Sequence, residues 1–320
     1  MEERFAVVSV VVPTYHRPAA LRDCVAAVLR QELPAGTELE VAIAVSDPAA
    51  AADLEAAMEL AADPRVRVAT AERPGPAAAR NAGIRAARGE ALAFIDDDCR
   101  PRAGWLEQGL LALAGADLVQ GRTVAMDGRP GLAHAVNVAP LSWLWEGCNL
   151  FCRAEIARSQ QFDQDWNPTG REGGHSGEDT EWGWRVVRAG ARAAAAPGAV
   201  VEHEVRSWTL REDLAYQFGS RHLPALFRVA PEARGHFTGG YFLTKRHIML
   251  AGAATLLTAG AAAAVAGQRG LGRLALGAGA AVYLSGFRGD VEGLLSYALG
   301  DAVLVGSAIL NSARSRRLVL

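Results

Sequence analysis

Regular alternation of strand-like and helical segments in the first hundred residues constrains the fold of this chain more than any other feature. The segment FAVVSVVVP (5–13) is a near-continuous β-branched run, typical of a strand buried on both faces. Further strands are expected at 39–47, 66–70 and 90–98, with helices at 19–31, 51–62 and 75–89 between them. This order predicts an α/β domain with a mostly parallel central sheet covered by helices.

Three consecutive carboxylates, Asp96, Asp97 and Asp98, end the fourth predicted strand in ALAFIDDDCRP (91–101). Like charges this close repel, so they need a compensating cation or a solvated turn. One interpretation is therefore a polar loop that caps a strand. The other is a divalent metal site, because ligands bind at the carboxyl ends of strands in open α/β sheets.

A second acidic feature opens the helical pattern GEDTEWGWRVVRAG (177–190). Glu178 and Asp179 at the start of a helix are stabilised by the helix dipole, so they have a structural interpretation as capping residues. A catalytic role is the alternative. The rest of 105–200 is rich in Gly and Pro and shows a looser pattern.

Several functional classes are excluded by motifs that the sequence lacks. There is no GxxxxGK[ST] segment, and no GxGxxG follows the first strand, which excludes the P-loop and dinucleotide-binding interpretations. The four cysteines are too scattered for a disulfide framework and fit a reducing compartment. Cys148 and Cys152 lie four apart, but no second Cys or His pair at zinc spacing accompanies them, so we interpret them as buried thiols.

The last third of the chain differs from the rest in charge and hydropathy. Residues 1–204 carry 29 acidic and 20 basic side chains, whereas 205–320 carry 6 acidic and 13 basic ones. Apolar runs at 248–267, 274–287 and 294–310 have basic flanks. This combination favours a C-terminal helical membrane region over a nucleic-acid partner, and we expect an even number of membrane spans. A buried helical hairpin is the alternative, because these runs are rich in Ala and Gly.

Three segments together resemble the signatures of family 2 glycosyltransferases, which have the GT-A fold. The segments are 7–31 (VVSVVVPTYHRPAALRDCVAAVLRQ), 73–101 (RPGPAAARNAGIRAARGEALAFIDDDCRP) and 177–190, so the resemblance covers about residues 7–205. It implies a GT-A catalytic domain at 1–205. The charge and hydropathy patterns after it predict amphipathic interfacial helices at 206–246 and membrane-associated helices at 247–320. The resemblance also implies sugar transfer from a nucleotide-diphosphate donor with inversion, assisted by Mg²⁺ or Mn²⁺.

The resemblance also assigns roles to residues. Asp98 is the expected metal ligand, Asp96 and Asp97 face the ribose or help to hold the metal, and His203 is either a further metal or diphosphate contact or a surface histidine. Asp179 is the expected general base, with adjacent Glu178 as a competitor.

Two departures from the family pattern, His16 after Tyr15 and Ser46 before Asp47, leave the identity of the nucleotide base open. The nucleotide-sugar site is expected to comprise Pro13, Thr14, Tyr15, Arg17, Asp47, Arg80, Asp96 and Asp97, and the acceptor site, in the loop 143–156 and its surroundings, Trp145, Asn149 and Trp182.

These expectations describe a metal-dependent inverting glycosyltransferase that acts on a cell-envelope glycan or a lipid-linked acceptor. Arg outnumbers Lys 32 to 1, which suggests a GC-rich bacterial gene, so the expected location is the inner membrane with the catalytic domain in the cytoplasm. One alternative is a polyprenyl-phosphate sugar synthase. Another is a non-catalytic membrane scaffold that only binds nucleotide. The donor sugar, linkage and oligomeric state stay open.

Overall fold

The computed structural model describes residues 5–126, 144–166, 177–204, 230–236 and 245–285. The chain divides into two compact units, Met1–Ser207 and Trp208–Leu320. In the first unit the strands are β1 (Val7–Thr14), β2 (Glu38–Val45), β3 (Val66–Thr70), β4 (Ala91–Phe94), β5 (Cys99–Pro101), β6 (Leu118–Ala125), β7 (Leu150–Arg153) and β8 (Ala193–His203). Its helices are α1 (Pro18–Leu29), α2 (Ala51–Leu60), α3 (Pro76–Ala86), α4 (Trp105–Leu113), α5 (Ala154–Ser159) and α6 (Glu178–Arg188).

One eight-stranded sheet, in the order β3-β2-β1-β4-β7-β6-β8-β5, organises the first unit. The pairs β1–β2, β1–β4 and β2–β3 are all parallel, as the alternating pattern predicts. Beyond β4 the sheet is mixed, because β7 pairs antiparallel with both β4 and β6, and β5 pairs antiparallel with β8. The prediction of a mostly parallel sheet therefore holds for the first half only, since the looser pattern after residue 105 concealed these strands.

Strand β1 lies at the centre because its residues suit burial on both faces. Val8, Val10, Val11 and Val12 are fully buried between β2 and β4 and the covering helices. Helix α3 approaches β1 closely at Gly83, where a β-carbon would lie 2.4 Å from the Val11 Cγ1. The carboxyl ends of β1, β2 and β4 thus form one edge, where the predicted site residues follow the strands.

In the second unit the structure describes a short 3₁₀ helix, Pro231–His236, and two helices, α7 (Lys245–Val265) and α8 (Arg269–Ser285), that pack against each other. Glycines allow this close packing: a β-carbon at Gly260 would lie 3.0 Å from the Gly272 carbonyl oxygen. Leu271 and Leu274 on α8 are 56% and 71% exposed, whereas Ala253 on α7 is 1% exposed.

The predicted C-terminal helical membrane region is wrong. None of the helices in the described part of the chain combines the length and the apolar character that crossing a bilayer requires. The runs at 248–267 and 274–287 instead form α7 and α8, and their abundant Ala and Gly serve close contact between helices. The run at 294–310 and most of the predicted interfacial segment 206–246 lie outside the described residues.

Candidate active site

The carboxylate of Asp97 joins the end of β4 to the end of β1. Its Oδ2 accepts a 2.8 Å hydrogen bond from the Thr14 hydroxyl and a longer one, 3.4 Å, from the Tyr15 backbone N–H. Burial raises the pKa of Asp97 to about 6, although Thr14 and Arg17 act against this shift. Asp97 is therefore built into the sheet edge, beside the predicted nucleotide pocket.

Arg17 supplies the positive charge that the DDD segment needs. Its Nη1 lies 3.2 Å from Asp97 Oδ1 and also contacts the Asp98 carboxylate. The turn that presents Arg17 is held by Asp53, which is fully buried and accepts the backbone N–H groups of His16 and Arg17 at 2.5 and 3.1 Å. Sequence reasoning missed Asp53, because its place inside a helical pattern gives no sign of this long-range contact.

Asp98 also faces His203, as the resemblance implies for the metal site. The His203 Nε2 lies 3.5 Å from Asp98 Oδ1, and the Cys99 sulfur lies 3.9 Å from the same oxygen. Cys99 and His203 are directly paired across β5 and β8, and one ligand atom from each of the three residues lies within 4.8 Å of the others. Carboxylate oxygens suit Mg²⁺ and Mn²⁺, and imidazole nitrogens bind divalent transition metals, so these residues fit a divalent cation.

The orientation of His203 favours this interpretation over that of a surface histidine. Its Nδ1 lies 2.8 Å from the backbone oxygen of Glu204, which can only accept a hydrogen bond. Nδ1 therefore carries the hydrogen and Nε2 points toward Asp98, the arrangement common in metal-binding histidines. The His203 side chain is only 17% exposed.

Asp96, the other predicted metal ligand, points toward Arg80 instead. Arg80 Nη2 donates to Asp96 Oδ1 at 3.1 Å, and Nη1 donates to Glu178 Oε1 at 2.6 Å. Burial opposes the charge on Arg80, but Asp96, Glu178 and Asp179 outweigh that effect and raise its pKa. Arg80 thus links α3, the end of β4 and the start of α6. The alternative role of Asp96, a contact to ribose, is untested.

The same contacts separate the two candidates for the general base. Glu178 is buried and paired with Arg80, and burial together with Asp179 raises its pKa. Asp179 is half-buried, and its Oδ2 accepts the backbone N–H of Gly147 at 2.9 Å. The geometry therefore favours Asp179 for contact with a substrate, and gives Glu178 the role of positioning Arg80.

The three residues expected to contact an acceptor lie in the core. Asn149 and Trp182 are fully buried, and Trp145 is 3% exposed. Asn149 accepts from the Trp105 indole N–H and donates to the Ala199 carbonyl, whereas the Trp182 ring stacks on Phe162. The burial of all three residues, and the contacts that Asn149 and Trp182 already make, do not support direct contact with an acceptor.

The predicted base pocket lies at the exposed end of the same edge. Tyr15 is 54% exposed, and the Asp47 carboxylate lies 3.5 Å from the His16 Nε2. His16 has a φ of 55°, a left-handed conformation that few non-glycine residues adopt. Ser46, which stands where the family usually has an acidic residue, exchanges hydrogen bonds with Gly75. Pro13 is half-buried and precedes Thr14 at the end of β1.

Comparison with known proteins gives a consistent result. Residues 9–162 match the model of the family described as "Glycosyl transferase family 2". The chain is 31% identical over 167 residues to the pre-mycofactocin glycosyltransferase of Mycobacterium tuberculosis, covering 43% of this chain and 33% of that protein. It is 32% identical over 116 residues to glycosyltransferase AglE of Haloferax volcanii, covering 36% and 38%. The chain thus spans about a third of the length of these curated relatives.

A solved structure supports the fold. The mannosyltransferase PcManGT from Pyrobaculum calidifontis, in complex with GDP-Man and Mn²⁺, aligns with a TM-score of 0.65 at 22% identity, covering 97% of this chain and 87% of that one. At this identity the likeness concerns the fold, which is the GT-A α/β fold with a mixed sheet.

Proposed function

We propose that this chain, whose residues 9–162 match the glycosyl transferase family 2 model, is a metal-dependent inverting glycosyltransferase that uses a nucleotide-diphosphate sugar. One observation carries the proposal. Asp98 and His203 lie close together at the sheet edge beside the predicted nucleotide pocket. Asp179 accepts a hydrogen bond from the Gly147 backbone N–H, whereas its neighbour Glu178 is paired with Arg80. The side chains proposed to bind the metal and diphosphate are therefore different from the proposed general base, and all of them belong to the first unit.

In the proposed reaction, the acceptor hydroxyl oxygen attacks the anomeric carbon while the bond from that carbon to the diphosphate oxygen breaks. Asp179 takes the proton of the attacking hydroxyl. A divalent cation held by Asp98 and His203 would neutralise the charge that develops on the diphosphate. Arg17, which already contacts Asp97 and Asp98, lies where it can donate to phosphate oxygens.

The acceptor class and cellular location are parts of this proposal that rest on sequence alone. We expect a cell-envelope glycan or a lipid-linked acceptor, and a catalytic domain that works in the cytoplasm, where nucleotide sugars are made. A polyprenyl-phosphate acceptor is the second candidate. Because PcManGT was solved with GDP-Man, GDP-mannose is the first donor to test.

A thermal-shift panel of UDP, GDP, dTDP and CDP sugars, each with Mn²⁺, with Mg²⁺ and with a chelator, tests the proposal. Binding to the folded state stabilises it by mass action, so the correct donor should raise the melting temperature in a metal-dependent way. Hydrolysis of that donor, measured as release of the nucleoside diphosphate, distinguishes an enzyme from a nucleotide-binding scaffold. Absence of any metal-dependent shift across the panel would contradict the proposal.

A further inference from the structure

Three unpartnered polar atoms belong to, or pack against, the segment Leu144–Asn149, here called the 144–149 turn. In the described part of the chain, four buried side-chain polar atoms lack a hydrogen-bond partner, and three of them are Arg80 Nε, Trp145 Nε1 and Glu146 Oε2. Arg80 belongs to this group because it packs over the turn: a β-carbon at Gly147 would lie 2.7 Å from its Cζ. Buried polar groups are nearly always paired, so this concentration indicates a missing ligand.

The 144–149 turn is held in a strained conformation by helix α6. Trp145 has a φ of 51°, which is disfavoured for a bulky side chain. Its ring fills the space over Gly183, where a β-carbon would lie 2.3 Å from the indole Cγ. The Thr180 hydroxyl donates to the Leu144 carbonyl at 2.5 Å, and the Gly147 N–H donates to Asp179. Strain of this kind persists where the surroundings fix a functional geometry.

Glu146 precedes Gly147, whose backbone N–H donates to Asp179. Burial, then Asp179 and Asp96, raise the pKa of Glu146 to about 8, so at neutral pH its carboxyl group is protonated. The other groups that face this turn are Cys148 on the turn itself and Arg80 from α3. A neutral carboxyl group has an O–H to donate and a carbonyl oxygen that accepts, which is the pairing that a sugar hydroxyl offers.

We propose that the Glu146 side chain binds a hydroxyl group of the sugar that is transferred. This inference rests on the proposed function. The anomeric carbon must lie between the leaving diphosphate, near Asp98, and the attacking oxygen, near Asp179. Gly147, next to Glu146, donates to Asp179 and packs against Arg80, which in turn binds Asp96 at the end of β4. The sugar is therefore the part of the donor that reaches Glu146.

The test compares affinity for a nucleotide sugar with affinity for the matching nucleoside diphosphate. Calorimetry with Mn²⁺ and the donor found in the panel is carried out on the wild type, Glu146→Leu and Glu146→Asp. We expect the affinity for the nucleotide sugar to fall about 10-fold in both variants, as for one lost hydrogen bond, with the diphosphate affinity within about 2-fold of the wild type. Glu146→Gln keeps a donor and an acceptor and should retain sugar affinity. Glu155→Gln, on the exposed face of α5, is the matched control.

The ratio of the two affinities decides the outcome. An unchanged ratio in Glu146→Asp overturns the inference, including the case in which both ligands bind more weakly because the turn is disturbed. If Glu146→Leu does not fold, the Asp variant alone gives the answer. If the wild type binds no nucleotide sugar in the panel, the proposed function fails first, and that result is distinguishable from an unchanged ratio.

Discussion

At the scale of single residues, Asp98 has the contacts expected of a metal ligand. It is buried and meets a guanidinium, an imidazole and a thiol. We predict that Asp98→Ala weakens Mn²⁺ binding at least about 10-fold and removes metal-dependent donor binding, because the diphosphate charge is then uncompensated. Calorimetry with Mn²⁺ alone, then with donor, measures both. The exposed Asp165 is the control for Asp→Ala, and an unchanged Mn²⁺ affinity in Asp98→Ala would move the ligand role to Asp96 or His203.

Asp179 differs from its neighbour Glu178 in what it can reach. Loss of a general base typically lowers the rate by ~10²- to 10⁴-fold. Asp179→Asn keeps size and an oxygen that accepts from Gly147 N–H, so donor and metal affinity should stay close to wild type while transfer is nearly abolished. Turnover measured under donor saturation tests this. Retention of more than roughly a tenth of the wild-type rate would argue against Asp179 as the base.

At the scale of secondary-structure elements, the Arg80 to Glu178 pair connects α3 with α6. Both side chains are buried, at 5% and 8% exposure, and their atoms are 2.6 Å apart. Removal of one partner leaves a buried charge, so Glu178→Gln should lower the free energy of unfolding by about 3 kcal/mol, the lower end of the range, because Arg80 keeps Asp96. The control is Glu181→Gln. Its partner Arg185 is a third exposed, so we expect a loss below about 1 kcal/mol in urea unfolding.

Asp117, just before β6, ties this strand to the start of β8 and gives a pH-dependent prediction. Hydrogen bonds from Arg192 hold the pKa of Asp117 well below its usual range. A lowered folded-state pKa stabilises the fold above the unfolded value of about 3.9, and this contribution is lost as the pH falls through the folded value. Asp117→Asn should therefore be less stable than wild type at pH 7, and the difference should shrink below about pH 4. Urea midpoints at pH 7, 4 and 2 test this; a difference independent of pH would contradict it.

At the scale of the whole molecule, the division after Ser207 separates a unit that contains every predicted site residue. These residues run from Pro13 to His203, and the sheet that positions them is complete before Ser207. We predict that a chain ending at Ser207 folds cooperatively and binds the nucleoside diphosphate with Mn²⁺ within about 3-fold of the full chain, because independent units keep their own core. Circular dichroism and calorimetry measure this. Loss of the cooperative transition would show that the first unit needs the second.

The parallel half of the sheet and the order of the site residues could be predicted from local patterns in the sequence. Alternating runs such as 5–13 and the helical pattern at 177–190 are local signals, because burial on two faces and helix amphipathicity act over a few neighbouring residues. Features that depend on partners distant in the chain could be found only in the folded structure. Three features arise from contacts across the fold: Asp53 capping the turn before α1, Arg80 holding Glu178 98 residues away, and the buried, unpaired Oε2 of Glu146. The same reason explains the C-terminal error: apolar content is local, whereas α7 and α8 use their small residues to pack against each other.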